Sequence, residues 1–153
     1  MQKKNPSQGI RGIVLLPNFP RPKQFDWWSC AAKCSYAILK YYGRKISYRE
    51  VKKALGTSIS GTDEESVIAL FKKRRLKPVK LRQPSLAKIK HEIDQDVPVM
   101  VEMDNNGGHY GVMCGYAEGY VFVADPSPRR RCRHTTAQFR KRWHGGAIAV
   151  RRR

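Results

Sequence analysis

Residues 24–43, QFDWWSCAAKCSYAILKYYG, carry the clearest local signal in the chain. Ser29 can cap the start of a helix, and Gly43 is typical of the position just beyond a helix end. Apolar residues recur between them at helical spacing and predict one buried stripe, made of Cys34, Ala37, Ile38 and Tyr41. The segment therefore predicts a helix as far as Tyr42, with Cys30 at or next to its first turn.

The position of Cys30 favours a reactive thiol. A thiol is a poor nucleophile until it ionises, and a helix N-terminus stabilises the thiolate. Cys34 lies one turn further along, where this effect has faded and the apolar stripe would bury it. For Cys34, and for Cys114 in a later segment, we expect a buried structural role. Cys30 is therefore the candidate nucleophile.

A histidine that could activate this thiol begins a predicted strand, HYGVMCGY, at residues 109–116. Alternate residues of a strand share a face, so His109 lies with Gly111 and Met113. The two glycines at 107–108 leave room at the mouth of the strand. A lone histidine is usually structural, so the strand by itself assigns no role to His109.

Asp125 is the candidate that would orient this imidazole. If residues 117–119 form a three-residue loop, Tyr116 pairs with Tyr120. Asp125 then lies diagonal to His109 on the same face, about 7–8 Å away and within side-chain reach. A two-residue loop would place Asp125 on the opposite face, so this prediction depends on the loop length.

Gln24 lies six residues before Cys30, in a loop that prolines keep out of a helix. Its side-chain amide could donate a hydrogen bond to a developing oxyanion, together with the backbone N–H of Cys30. Taken alone, a loop glutamine is more often only solvated.

The remaining patterns predict an α+β domain. Capping patterns predict four further helices, which begin after Ser47, Thr62, Ser85 and Thr135. The second of these is expected to run through Phe71 and the last through Trp143. Strand patterns at 13–16, 79–82, 98–103, 109–116, 120–125 and 147–151 gather mainly in the second half. A helical first half that packs on a C-terminal antiparallel sheet is the expected architecture.

The excess of positive charge indicates that the chain binds a polyanion. Thirty-one lysines and arginines stand against twelve acidic residues, which gives a net charge of +19. Such an excess attracts polyanions, and nucleic acid is the commonest polyanion inside cells and capsids. The basic runs proposed to bind it contain Lys72, Lys73, Arg74, Arg75, Arg129, Arg130, Arg131, Arg151, Arg152 and Arg153. A basic surface that is merely solvated is the alternative.

One domain at 13–150 is expected, with a basic leader at 1–12 and a basic tail at 151–153. The apolar run from Ile13 to Leu16 is too short for a signal peptide, and no run is long enough to span a membrane. These features favour the cytoplasm or the interior of a virion. The cysteines are expected to be thiols, their spacing with histidine matches no zinc pattern, and no cofactor or metal is expected.

Several segments together resemble one known family. Gln24 followed by SCAAKCSYAILKYYG at 29–43 resembles the nucleophile segment of the bacteriocin-processing, double-glycine leader cysteine peptidases. The segment VPVMVEMDNNGGHYGVMCGYAEGYVFVADPSPR at 97–129 is similar to their histidine segment, and AQFRKRWHGGAIAV at 137–150 to their closing segment. The resemblance covers about residues 13–150 and keeps the family order.

The resemblance implies a papain-like fold and a cysteine peptidase that acts on a peptide or protein. It also implies Cys30 as nucleophile, His109 as base, Asp125 as the residue that orients the base, and Gln24 as oxyanion donor. Where the family commonly has Asp-Cys-Gly, this chain has Ser29-Cys30-Ala31. The chain has no predicted membrane segment or ATPase, so the leader-peptide substrate of the transporter-fused members does not carry over.

Two other functions are compatible with these residues. The domain could be an inactive papain-like scaffold that binds nucleic acid or forms part of a large assembly, as the basic runs suggest. Acyl transfer uses the same Cys-His-Asp order as hydrolysis, and only the family resemblance favours hydrolysis. A peptidase that travels with nucleic acid, for instance in a phage particle, would combine the triad with the positive surface.

Overall fold

The computed structural model describes residues 12–20, 29–56, 62–103, 109–126 and 132–153. The candidate Gln24, the glycines at 107–108, the basic run at 129–131 and nearly all of the expected leader lie outside these residues. The five helices are α1 Cys30–Tyr41, α2 Tyr48–Leu55, α3 Glu64–Lys73, α4 Leu86–Asp94 and α5 Thr136–Arg142. The seven strands are β1 Ile13–Leu15, β2 Leu76–Lys80, β3 Val99–Met103, β4 His109–Ala117, β5 Tyr120–Ala124, β6 Arg133–Thr135 and β7 Trp143–Arg152.

Side-chain caps begin four of the helices. The capping boxes predicted before α2 and α5 are present, as is the Ser85 cap of α4. The predicted cap of α3 is wrong by one residue, because Asp63 and not Thr62 occupies the N-cap. An Asp63 carboxylate oxygen accepts from the backbone N–H of Ser66 at 2.8 Å, and a carboxylate at this end also suits the helix dipole.

The strands form one antiparallel sheet in the order β2-β7-β3-β4-β5-β6, with β1 paired to β4. Three details differ from the sequence-based expectation. Strand β2 begins at Leu76 instead of residue 79, the short strand β6 was not predicted, and Trp143 opens β7 instead of ending α5. The glycines at 145–146 interrupt any alternating pattern in this part of β7, which explains why its start was missed.

Helices cover both faces of the sheet. Helices α1, α2 and α3 pack on one face, against Met100 of β3 and Val112 of β4. Helices α4 and α5 pack on the other face, against Val101 and Met113 of the same two strands. Alternate residues of each strand therefore enter separate cores. The predicted α+β class and the packing of the nucleophile helix on the sheet are confirmed.

The β4–β5 hairpin corrects the predicted loop. The loop has two residues, since Ala117 pairs with Tyr120, and Gly119 takes a φ of +76°. A bulge between Met113 and Gly115 then adds one residue to β4. Beyond the bulge Val112 pairs with Ala124, and the same register brings Asp125 opposite Gly111. Asp125 is therefore diagonal to His109 on the same face, which is the position expected from a three-residue loop.

The expected basic tail is part of the sheet. Arg151 and Arg152 pair with residues of β2 at the end of β7. The Arg151 guanidinium also donates two hydrogen bonds to the carboxylate of Glu92 on α4, one of them at 3.0 Å. Glu92 is buried, so this ion pair ties α4 to β7. None of the helices in the described ranges is long and apolar enough to cross a membrane.

Candidate active site

Cys30 is the first residue of α1, and its side chain is 6% exposed. Ser29 precedes it at the N-cap position, and Ala31 and Ala32 follow as buried residues of the same helix turn. The backbone N–H groups of a first helical turn carry partial positive charge and are not used inside the helix. The thiol of Cys30 therefore lies at the end of α1 that stabilises negative charge, as the sequence predicted.

His109 and Asp125 form a short hydrogen bond next to this helix end. His109 Nε2 lies 2.6 Å from Asp125 Oδ1. The Asp125 side chain is 1% exposed and the His109 side chain 17%, so water competes little for this contact. His109 opens β4 and Asp125 follows the end of β5, and the hairpin register holds the two together.

The charge state of His109 follows from these neighbours. Burial alone would lower the pKa of His109. Hydrogen bonds to Asp125 and Cys30, together with the negative charges of both side chains, outweigh burial and raise the pKa to about 10. At neutral pH the ring is therefore an imidazolium. Because Asp125 occupies Nε2, Nδ1 is the ring nitrogen left for the sulfur of Cys30.

This arrangement can perform nucleophilic chemistry at a carbonyl carbon. The imidazolium stabilises a thiolate on Cys30 and holds a proton that a leaving group can accept. The buried Asp125 carboxylate fixes the ring orientation and stabilises its positive charge. The structure thus brings together three of the four residues proposed from the sequence.

Cys34 lies one turn after Cys30 and has different surroundings. Its Sγ donates to the backbone carbonyl of Tyr110 at 3.3 Å. Burial raises the pKa of Cys34 well above its usual value, and the nearby charge of Cys30 adds to this effect. Cys34 is therefore a neutral thiol that joins α1 to β4 beside the candidate site. No sequence pattern indicates the contact with Tyr110, because this contact depends on how α1 packs on the sheet.

The other cysteines and histidines lie elsewhere. Cys114 is at the bulge of β4, with Sγ 3.6 Å from the carbonyl oxygen of Phe122. His134 is buried in β6, whereas the histidines of α4 and β7, His91 and His144, are exposed. No group of three or more His, Cys, Asp or Glu side chains within the described ranges could hold a metal ion.

Comparison with known proteins identifies the family of the chain. A model of the peptidase C39 family matches residues 18–153. The chain belongs to the peptidase C39 family. It is accordingly a cysteine peptidase, and the resemblance and the papain-like fold predicted from the sequence are confirmed.

A curated relative of this C39 peptidase is the lactococcin-G-processing and transport ATP-binding protein LagD of Lactococcus lactis subsp. lactis. The two are 24% identical over 122 residues, which are 80% of this chain and 17% of LagD. The chain therefore spans less than a fifth of that relative.

Solved structures show the same fold. The peptidase domain of Streptococcus ComA superposes with a TM-score of 0.77 at 20% identity, over 88% of this chain and 99% of that domain. A double glycine motif protease from an AMS/PCAT transporter, solved in complex with the leader peptide, superposes with a TM-score of 0.75 at 19% identity. The match covers 94% of this chain and 96% of that protein. A C39-like peptidase from Bacillus anthracis superposes with a TM-score of 0.77 at 17% identity, over 92% of this chain and 98% of that protein.

Proposed function

We propose that this C39 peptidase cleaves a peptide bond with Cys30 as nucleophile, His109 as general acid and base, and Asp125 as the residue that orients the imidazole. The 2.6 Å hydrogen bond between His109 and Asp125 carries the proposal, because it fixes one ring nitrogen and leaves the other for the thiol at the start of α1. Gln24, which the sequence places in the preceding loop, is proposed as an oxyanion donor.

The proposed reaction has two steps. The Cys30 thiolate attacks the carbonyl carbon of the scissile bond, and the negative charge on the carbonyl oxygen is stabilised by the Cys30 backbone N–H and the Gln24 amide. The His109 imidazolium gives its proton to the leaving amine, which leaves a thioester on Cys30. Neutral His109 then removes a proton from water, and the resulting attack on the thioester releases the acid and the free thiolate.

A peptide with a Gly-Gly pair is the first substrate to test. One structural neighbour is described as a double glycine motif protease in complex with a leader peptide. Because this chain spans 17% of LagD, the transport function and natural substrate of that relative do not define those of this chain. The substrate we propose is therefore a peptide segment with small residues before the scissile bond, which fits a nucleophile that is 6% exposed.

The proposal is tested by comparing the hydrolysis of this peptide by the native protein, Cys30→Ala and Gln24→Ala. Cys30→Ala should lose at least about three orders of magnitude in turnover, because the triad acts as a unit. Gln24→Ala should lose about 10²–10³ in turnover and keep its stability, because a single oxyanion donor is removed. Hydrolysis by Cys30→Ala at the native rate would overturn the triad, and an unchanged rate in Gln24→Ala would remove Gln24 from the mechanism.

We further propose that the chain associates with nucleic acid, in the cytoplasm or in the interior of a virion. The net charge of +19 supports this proposal, since phosphate groups neutralise an excess of lysine and arginine. The association adds to the peptidase activity and does not replace it.

A further inference from the structure

The segment that forms α1 and α2 has an unusual balance of charge. Residues 29–56 contain seven basic residues and one acidic residue, Glu50. The Glu50 carboxylate is already engaged, since it accepts from the backbone N–H of Ser47 in the capping box of α2. The basic residues are Lys33, Lys40, Arg44, Lys45, Arg49, Lys52 and Lys53, five of which are exposed.

Three of these lysines surround two tyrosine rings between α1 and α2. The rings of Tyr36 and Tyr48 meet edge to face, with centroids 5.7 Å apart. The ammonium groups of Lys33 and Lys52 lie 3.7 Å and 4.8 Å from the centroid of Tyr48. The ammonium of Lys40 lies 5.7 Å from the centroid of Tyr36. We call these five residues the lysine–tyrosine face.

The face concentrates positive charge at short range. Two ammonium groups contact the ring of Tyr48, and a third contacts the adjoining ring of Tyr36. The negative face of an aromatic ring attracts each ammonium and holds it in place. The lysines are thus ordered near one another before any ligand binds. This lowers the entropy cost of ordering their side chains when a ligand binds.

Other cations of the chain have structural partners. Lys80 forms an ion pair with Glu64 at 2.7 Å, and Arg151 is bound to the buried Glu92. Arg44, although it lies between α1 and α2, donates to the backbone carbonyls of Tyr42 and Arg74 at two helix C-termini. These contacts stabilise the fold. Lys90, Arg133 and Arg152 also lie over tyrosine rings, whereas the ring of Tyr48 has two ammonium groups beside it.

We propose that the lysine–tyrosine face binds the phosphate backbone of a nucleic acid. Lysine is a compact point charge suited to single phosphate oxygens, and several lysines along two helices match a ligand with one charge per nucleotide. Binding is independent of base sequence, because lysines that contact phosphates do not read bases. The inference rests on the nucleic-acid association proposed above and does not depend on the peptidase activity.

Two charge-reversed proteins with equal net charge test this site. Lys40→Glu with Lys52→Glu alters the lysine–tyrosine face. Lys72→Glu with Lys73→Glu alters two exposed lysines of the basic run at the end of α3, which the sequence alone proposed as a binding surface, so the comparison decides between the two surfaces. Fluorescence anisotropy measures their binding to labelled DNA and RNA between about 50 and 200 mM salt, and circular dichroism checks that each folds. Each protein is also assayed as a peptidase, since none of these lysines belongs to the proposed triad.

The proposal predicts that Lys40→Glu/Lys52→Glu binds about tenfold or more weakly and that its log–log salt slope is smaller by about two. Lys72→Glu/Lys73→Glu should lose no more than about threefold, and both should keep native peptidase activity. Equal losses in the two proteins would mean that net charge and not this face governs binding. Equally tight, face-dependent binding of poly-glutamate of the same length would assign the face to an acidic protein instead.

Discussion

At the scale of single residues, His109 is the group whose chemistry the fold changes most. Its pKa is raised from 6.5 to about 10, because Asp125 and Cys30 together outweigh burial. A group whose pKa is higher in the folded state stabilises that state at low pH. The contribution of His109 is therefore full below pH 6.5 and is lost as the pH rises through about 10.

Substitution of Asp125 by Asn should separate orientation from folding. The Asn side chain keeps the shape but removes the carboxylate, so the pKa of His109 falls towards its usual value. We expect turnover to drop by about two orders of magnitude or more, and the alkaline limb of the pH–rate profile to move to lower pH.

Asp94→Asn is the matched control for this experiment, since Asp94 lies on the surface and accepts a hydrogen bond from Tyr116. Its pH–rate profile should be that of the native protein. A native profile in Asp125→Asn would show that the carboxylate does not act through His109.

At the scale of secondary-structure elements, the β4–β5 hairpin shows that one strand register can be reached in two ways. Either a third residue in the loop or a bulge in β4 brings Asp125 opposite Gly111. A three-residue loop was predicted, whereas the protein has a two-residue loop and a bulge at Cys114. The two solutions have the same length, and strand periodicity does not distinguish a bulge from a longer loop.

Helix caps were the most predictable local features, and contacts between distant elements were not. Ser47, Ser85 and Thr135 were identified because each cap needs only a few consecutive residues. The contact between Cys34 and Tyr110 and the ion pair of Arg151 join residues far apart in the chain. Such contacts depend on the packing of whole elements, which a single sequence does not specify locally.

A third contact between distant elements, from Tyr42 to Val150, replaces a missing hydrogen bond of the sheet. The backbone N–H of Val150 in β7 donates to the carbonyl of Pro98, just before β3. Pro98 has no N–H to return, so the carbonyl of Val150 lacks its ladder donor. The hydroxyl of Tyr42, at the end of α1, donates to that carbonyl at 2.5 Å. Burial raises the pKa of Tyr42, so the hydroxyl keeps its proton.

Tyr42→Phe should therefore destabilise the protein without altering the active site. It leaves the carbonyl of Val150, a fully buried residue, without a donor, and we expect the free energy of unfolding to fall by about 1–3 kcal/mol in urea denaturation. Pro98→Ala in the Tyr42→Phe background restores an N–H and should recover part of the loss. If Tyr42→Phe is as stable as the native protein, the hydroxyl does not serve this carbonyl.

At the scale of the whole molecule, the excess of positive charge acts against the fold. A net charge of +19 on 153 residues produces mutual repulsion in the compact state. Ion pairs such as Lys80–Glu64 offset only a small part of this repulsion, because the chain has twelve acidic residues for thirty-one basic ones. A polyanion bound at the surface would relieve it further.

Sodium chloride should accordingly raise the thermal stability of the protein. Between about 20 and 200 mM salt, screening weakens the repulsion, and we expect the unfolding midpoint to rise by about 2–4 °C, which corresponds to about 1 kcal/mol. Differential scanning calorimetry measures the change. A midpoint that falls with salt would mean that ion pairs, and not repulsion, dominate the electrostatics of the folded state.

Alkylation decides whether His109 activates the thiol of Cys30, on which the proposed mechanism depends. Iodoacetamide at about pH 6, followed by peptide mapping, measures the labelling rate of each cysteine in the native protein and in His109→Ala. We expect Cys30 to react about 100-fold faster than Cys34, Cys114 or the partly buried Cys132 that precedes β6, and His109→Ala to abolish this difference. Equal labelling of Cys132, or an unchanged Cys30 rate in His109→Ala, would contradict it.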